Sequence, residues 1–333
     1  MAVPAPRRTL TVRRETFPIR GVFRISRGAR TEAEVVVAEV RDDQVVGRGE
    51  CVPYRRYGET VEGVVADIES VAEAVAAGLD WEGLARALPP GAARNAVDCA
   101  LWDLAAKLTG RPVWQLADMD GPPGPVTTAF TISVDTVEAM AAATRAAAYR
   151  PLLKVKLTGE GDLERVRAVR ENAPRSRLVV DANEAWTVEL LDRFAPALAE
   201  LGVELIEQPL PAGADDALLG YRCPVPLGAD ESCHDRSTLE QLRGKYQVVN
   251  VKLDKTGGLT EALALKRAAE QAGFDVMVGC MVGTSLAMAP ALLAAQGARF
   301  VDLDGPLLLA RDREPGLRYE GSTVHPADPA LWG

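Results

Sequence analysis

The sequence predicts an α/β protein whose larger part is a closed parallel β/α barrel, preceded by a compact α+β unit. Two observations point there. From about residue 126 apolar runs close on polar residues, with markers at 156, 181, 207, 230, 252, 280 and 302 spaced 25, 26, 23, 22, 28 and 22 apart. Each interval is about the length of one strand, loop, helix and return loop. So many units in a row mean a parallel sheet, and their regularity favours a closed barrel. Ahead of that region strands come first and helices afterwards, the order of an α+β unit. An open doubly wound sheet is the alternative, disfavoured because no GxGxxG follows the first strand.

The elements follow in order. The first 50 residues form short strand-like runs, notably "EVVVAEV" at 34–40, with glycine punctuation at 47–49. In 61–75, Val61, Val64, Val65, Ile68, Val71 and Val75 share one helical face. In 95–108, Val97, Ala100, Leu101, Leu104, Ala105 and Leu108 do the same. The turn-rich "DMDGPPGPV" at 118–126 reads as the exit from this unit. The barrel strands then end as "LLKVK", "LVVD", "LIE", "PLGAD", "VNVK", "VMVGC" and "FVDLD".

Composition narrows the function classes. With 38 Lys and Arg against 47 Asp and Glu, the net charge of −9 argues against a nucleic-acid surface. No apolar run approaches bilayer length. The start, "MAVPAPRRTLTVRRE", has no apolar core or cleavage signature, so no secretory signal is read. Five cysteines (51, 99, 223, 233 and 280), an odd number without a CxxC pair, fit reduced thiols in the cytoplasm. His234 and His325 are the only histidines and are expected to be ordinary surface residues.

Chemistry concentrates where strands end, which in β/α barrels is the working face. In "LIEQPLP" a buried strand runs into Glu207, and the prolines stop it there. Asp181, Glu207 and Asp230 close three consecutive strands, and three hard oxygen donors at one mouth suit a divalent cation, Mg²⁺ above all. Lys154 and Lys156 lie two apart on one strand and so point to one side. Two like charges that close are expected to lower the pKa of at least one amine, helping Lys156 act as a base. Lys252 ends a strand further around, so a carboxylate held between them would present its Cα to an amine on each face. Asp302 and Asp304 form an acidic pair suited to an ammonium group. Each acid alone could be a helix cap or a surface ion-pair partner; three in register weigh against that.

"KVK", "VVDANEAW", "IEQPLP", "ADES", "VNVKLDKTGGL" and "DLDG", in that order and spacing, resemble the enolase superfamily and its muconate-lactonizing subgroup. "DLDG" and "GCM" narrow the resemblance to dipeptide epimerases, in particular those acting on L-Ala-D/L-Glu in peptidoglycan peptide recycling. "PYRRYGE" (53–59) and "AARNAVDCALWDLAA" (92–106) extend it over nearly the whole chain. The resemblance implies a modified TIM barrel, (β/α)7β, at 123–310. It implies a capping domain at 1–122 and a tail at 311–333 that returns to the cap. It makes Asp181, Glu207 and Asp230 the Mg²⁺ ligands and Lys156 and Lys252 the acid/base pair. Lys154, Asp302 and Asp304 would bind substrate, with Asn183 and Glu231 in support. Cap loops near 23–30 and 51–59 would set specificity, and Arg27, flanked by Arg24 and Arg30, is the residue favoured to meet a glutamate side chain.

The partner expected is a small dipeptide, with neither nucleic acid nor membrane, and homo-oligomerisation is left open. A cycloisomerase or o-succinylbenzoate synthase would use the same frame on other acids, and a non-catalytic ligand-binding barrel would have no use for opposed lysines. One departure stands out: after "GCM" many relatives carry an acidic residue, whereas this chain has Val282, Gly283 and Thr284.

Overall fold

The computed structural model describes residues 8–333. The first seven residues of the segment read as carrying no secretory signal lie outside that range. Strands β1 (Thr9–Ile25), β2 (Gly28–Asp42) and β3 (Val45–Cys51) form an antiparallel sheet. Val36, Ala38 and Val40 of β2 pack with Ala96, Val97, Ala100 and Leu104 of the helix Ala92–Thr109. Val35 and Val37, on the opposite face, join clusters with Phe17 and Met281 and with the barrel core. Both faces of β2 are therefore buried, which is why its run lacks polar alternation. Gly47 and Gly49 let the helix approach: a Cβ there would stand 2.2 Å from Ala100 O and 2.1 Å from Ala96 O.

The helical face expected over 61–75 is two helices, Val61–Ser70 and Ala72–Ala76. The break follows Ser70, whose hydroxyl donates to Asp67 O at 2.6 Å and competes with the helical ladder. A second small sheet joins β4 (Val126–Thr127) to the tail strands.

The barrel strands are β5 (Phe130–Ile132), β6 (Leu152–Lys156), β7 (Arg177–Asp181), β8 (Val203–Glu207), β9 (Leu227–Ala229), β10 (Val248–Val251), β11 (Asp275–Gly279) and β12 (Phe300–Asp302). They pair in chain order and all in parallel. The seam between β12 and β5 is closed by Ala129 N to Val301 O and Leu303 N to Thr128 Oγ1, each 2.7 Å. Tail strands β13 (Tyr319–Glu320) and β14 (Thr323–Val324) pair with each other, and β14 pairs with β4.

Not every crossover is a full helix, contrary to the expectation from spacing. Between β8 and β9 only a 3₁₀ turn forms, Asp216–Leu218, because Pro209, Pro211, Gly213, Gly220, Pro224 and Pro226 break up the segment. Period-2 alternation sorts the rest. Leu152, Val179, Leu205, Val248, Met277 and Phe300 point inward and, with Ala129, form a plug. The inward positions nearer the strand ends are polar, except for Gly279 on β11. Beyond the barrel, Trp332 Nε1 donates to Cys99 O at 3.0 Å and Gly333 N to Asp103 Oδ1 at 2.8 Å, so the chain end lies against the cap helix.

Candidate metal centre and paired lysines

Register brings the site together. Lys156 pairs with Asp181 across β6 and β7, and Asp181 with Glu207 across β7 and β8. Asp230 and Lys252 stand one residue beyond β9 and β10. One carboxylate oxygen from each of Asp181, Glu207 and Asp230 lies within 4.8 Å of the others, and all three side chains are buried. The turns just after these strands hold Asn183, Glu184 and Gln208 at φ of 44°, 68° and 36°, the left-handed region that non-glycine residues avoid.

Four amines surround the carboxylates. Lys156 Nζ is 2.6 Å from Asp181 Oδ2, and Lys252 Nζ is 2.6 Å from Asp230 Oδ2. Lys154 Nζ lies between Asp302 at 2.9 Å, Glu207 at 2.7 Å and Asp181 at 3.3 Å. The fourth, Lys255, is a residue sequence reasoning missed. Its Nζ donates to Asp230 Oδ1 at 2.7 Å, Asp230 O at 2.6 Å and Asn250 O at 2.9 Å. Asn250 was missed too, and donates from Nδ2 to Glu207 Oε1 at 2.8 Å. Its place two residues before Lys252 was the available signal, since it shares that strand face. Gln208 gave no such signal, yet its amide ties Asp230 N, Ser232, Leu210 O and Tyr246 together.

The charges act strongly on one another. Burial works against a charge on Lys154, but Asp302, Glu207, Asp181 and Asp230 outweigh it and hold the amine well above the usual lysine range. At Lys154 the effect of the neighbouring lysine is outweighed, because this amine has more carboxylates than amines beside it. Burial also opposes charge on Asp181, yet Lys156 and Lys154 pull it down to about 2. Glu207 goes the other way, to about 7, through burial and then the charge of Asp181. Asp304 is likewise pushed to about 7 by burial and by Asp302.

The donor set fits a divalent cation: three buried carboxylates offer hard oxygens at one point. Glu207 Oε2 makes no hydrogen bond, although Lys154 Nζ stands within ion-pair distance. Asp302 presents Oδ1 without a hydrogen-bond partner, while Asp304 accepts Thr131 N at 2.6 Å. Burial drives the Cys280 thiol well above its ordinary range, so it is no thiolate nucleophile at neutral pH.

The cap loop closes over this mouth. Arg27 donates to Asn183 O at 2.9 Å and Glu184 Oε2 at 3.0 Å, and to Tyr54 OH at 2.9 Å and Glu231 Oε1 at 2.6 Å. Its guanidinium therefore ties the cap to the loops after β7 and β9. Arg24 pairs instead with Asp135 at 2.7 Å, and Arg30 lies over the Tyr54 ring. Both histidines are partly buried, contrary to the surface expectation. His234 stacks edge-on against Tyr57 with centroids 4.7 Å apart, and burial lowers its pKa. His325 sits between Arg318 and Glu320. The sequence departure after "GCM" also has a structural partner. Thr284 N donates to the buried Glu50 at 2.7 Å, and Arg313 from the tail pairs with the same carboxylate at 2.6 Å. An acidic residue at 284 would face Glu50 directly.

Comparison with known proteins agrees with this architecture. Residues 7–117 match the family "Mandelate racemase / muconate lactonizing enzyme, N-terminal domain", and residues 135–328 match "Enolase C-terminal domain-like". The L-Ala-D/L-Glu epimerase of Escherichia coli (strain K12) is 49% identical over 96% of this chain and 99% of its own length. An N-acetyl-D-glutamate racemase of Pseudoalteromonas sp. is 46% identical over 90% of this chain and 95% of its own. A crystal structure from Agrobacterium tumefaciens, an enolase family member with homology to dipeptide epimerases, superposes with a TM-score of 0.96 at 55% identity. It covers 98% of this chain and 100% of that one, and holds sodium and L-Ala-L-Glu. The chain belongs to the mandelate racemase / muconate lactonizing enzyme family of the enolase superfamily, among its dipeptide-epimerase relatives.

Proposed function

We propose that this protein is a dipeptide epimerase of the L-Ala-D/L-Glu type, which inverts the α-carbon of the C-terminal residue and serves peptidoglycan peptide recycling. The observation that carries this reading is the pair of amines. Lys156 and Lys252 arise with β7, β8 and β9 between them, and each ends 2.6 Å from an outer member of the Asp181–Glu207–Asp230 set. A substrate carboxylate drawn to that set would have an amine beside each face of its Cα.

An α-proton next to a carboxylate is very weakly acidic, because its removal leaves a dianionic enediolate. Mg²⁺ held by Asp181, Glu207 and Asp230 would supply positive charge opposite that developing anion. One lysine accepts the α-proton at Nζ and the other delivers a proton from its Nζ to the opposite face, so the centre inverts. Lys154 adds fixed positive charge next to Glu207 and Asp181. Asp302 and Asp304 would receive the dipeptide's ammonium group through charge-assisted hydrogen bonds. Arg27 lies at the mouth as the candidate reader of a glutamate side chain, although it already has four protein partners.

A second reading comes from the relative in Pseudoalteromonas sp.: racemisation of an N-acylated amino acid on the same frame. Such a substrate has no ammonium to offer the unpartnered Oδ1 of Asp302, which favours the dipeptide. Proton NMR in D₂O with L-Ala-L-Glu, L-Ala-D-Glu and N-acetyl-L-glutamate separates the two. We expect faster exchange and inversion of the dipeptides. Lys156→Ala and Lys252→Ala should each stop epimerisation while leaving exchange at opposite epimers. Full epimerase activity in either single variant overturns the mechanism, and faster turnover of N-acetyl-L-glutamate overturns the substrate.

A further inference from the structure

The two proposed bases are held by different parts of the molecule. Lys156 is the last residue of β6, a strand paired on both sides inside the barrel. Among the described residues no cap side chain hydrogen-bonds to β6. Lys252 lies beyond the end of β10 and leads into the short helix Leu253–Thr256. Its carbonyl accepts Lys255 N and Thr256 N, each at 3.0 Å, so that turn fixes the backbone of Lys252.

The turn is in turn gripped by the cap helix Ala92–Thr109. Arg94 donates to Thr256 O at 2.6 Å and Gly257 O at 3.2 Å. Asn95 Nδ2 donates to Asp254 Oδ1 at 2.8 Å, and the same oxygen accepts Val52 N of the cap at 3.0 Å. Asp98 accepts Thr260 N and Oγ1 at 3.1 and 2.6 Å. Arg94, Asn95, Asp98 and Asp254 are all buried, and the bonds to Asp254, Thr256 and Gly257 are shielded from water, while Thr260 is exposed. Contact is close as well as polar. A Cβ on Gly257 would stand 2.2 Å from Arg94 Nε, and one on Gly258 2.4 Å from Asp98 Oδ2.

We propose that Arg94, Asn95, Asp98 and Asp254 form a clamp through which the cap positions Lys252, so that cap docking governs proton transfer at one face of the substrate. They are positioning residues, and the inference rests on the two-lysine reading above. Loosening the clamp moves one base and leaves the other in its ladder. A merely structural role would instead weaken both faces alike.

The test uses the full-length protein with Asp254→Ala and Asn95→Ala, and with Asp254→Asn, which keeps the accepting oxygen. Backbone amide exchange, read by mass spectrometry, compares the peptide over 253–258 with that over 152–157. Solvent-deuterium exchange at Cα of L-Ala-L-Glu and L-Ala-D-Glu is read in parallel, each face being assigned with Lys252→Ala and Lys156→Ala. Both alanine variants should speed amide exchange in 253–258 only. They should cut Cα exchange at the Lys252 face by roughly a hundredfold while the Lys156 face stays within about twofold of wild type. Asp254→Asn should restore most of the loss. Equal loss at both faces, unchanged amide exchange in 253–258, or failure of Asp254→Asn to rescue would overturn the clamp. If wild-type protein exchanges neither dipeptide, the two-lysine reading fails by itself, and the amide readout still decides whether the cap holds this turn.

Discussion

One added methyl group at Gly279 tests how tightly the site is packed. Gly279 is the last residue of β11, and a Cβ there would stand 2.7 Å from Asn250 Oδ1, 3.0 Å from Asn250 Nδ2 and 3.1 Å from Lys252 Cε. Ordinary contacts sit near ~3.5 Å, so Gly279→Ala forces a shift of roughly 0.5–1 Å. Asn250 is the side chain able to give way, since its Oδ1 has no hydrogen-bond partner. Turning it breaks the 2.8 Å bond from Nδ2 to Glu207. A hydrogen bond to a charged group is worth about 1.5–3 kcal/mol, or roughly ten- to a hundredfold in rate if felt wholly in the transition state. Displacing Lys252 by a similar amount costs about a hundredfold. The two losses share one displaced cluster and do not multiply.

Gly279→Ala should therefore lower kcat for L-Ala-L-Glu by about two orders of magnitude, with overpacking costing about 1–3 kcal/mol of stability. The assay is NMR-detected epimerisation, with chemical denaturation run on the same samples. Cα exchange at the Lys252 face should fall more than at the Lys156 face, because Lys252 Cε is among the three atoms nearest the new methyl. Wild-type kcat in a variant of wild-type stability would refute the packing argument. An intact Lys252 face beside a lost Lys156 face would refute the assignment of which base is crowded.

Two further outcomes follow from the charges. Chelation with EDTA should abolish epimerisation and Mg²⁺ should restore it; Mg²⁺ should also raise the melting temperature of wild type but not of Asp181→Asn, which should lose several orders of magnitude in rate. Persistence of activity after chelation would sink the metal assignment. Burial pushes the Asp254 carboxyl up to about 7 against hydrogen bonds from Val52 and Asn95. An unfolded aspartic acid titrates near ~3.9, so between about pH 4 and 7 the folded chain holds a proton that the unfolded chain has lost, and stability falls as pH rises. Asp254→Asn, which cannot ionise, should gain on wild type across that window, as measured by chemical denaturation at its two ends; a pH-independent difference would contradict the burial argument.

Much of the site was legible because a barrel converts sequence spacing into position. A polar residue closing an apolar run every 22 to 28 positions has only one place to go, the strand end, and Asp181, Glu207, Asp230, Lys156 and Lys252 stand there or one residue beyond. The period-2 rule likewise put Lys154 on the same face as Lys156. Residues that act across elements were not legible. Lys255 reaches Asp230 from a helical turn, and nothing in "KLDK" separates it from a solvated lysine. Arg94 meets Gly257, Asn95 meets Asp254 and Asp98 meets Thr260 only because the cap helix lies on that turn, contacts between residues some 160 positions apart. Arg27 was legible as a mouth residue, but its engagement with Glu184 and Glu231 depends on two loops whose geometry no local pattern encodes. The missing helix between β8 and β9 was readable from its prolines, but the regular interval masked it.

The seam of the barrel explains why the two acids of "DLDG" have different duties. A sheet of eight strands closes only if β12 meets β5, and here the closure depends on few backbone bonds, helped by Thr128 and by Asp304. Asp304 receives Thr131 N with Oδ2, so one of its oxygens belongs to the fold. Asp302 reaches Lys154 with Oδ2 and keeps Oδ1 for a further donor. Under the proposed function, a substrate ammonium arriving at this seam meets Asp302 as its principal acceptor, with Asp304 supplying charge from a fixed position. If Asp304 also faces the substrate, as the proposed function has it, replacing it should disturb both the seam and binding, whereas replacing Asp302 should disturb binding and the contact with Lys154.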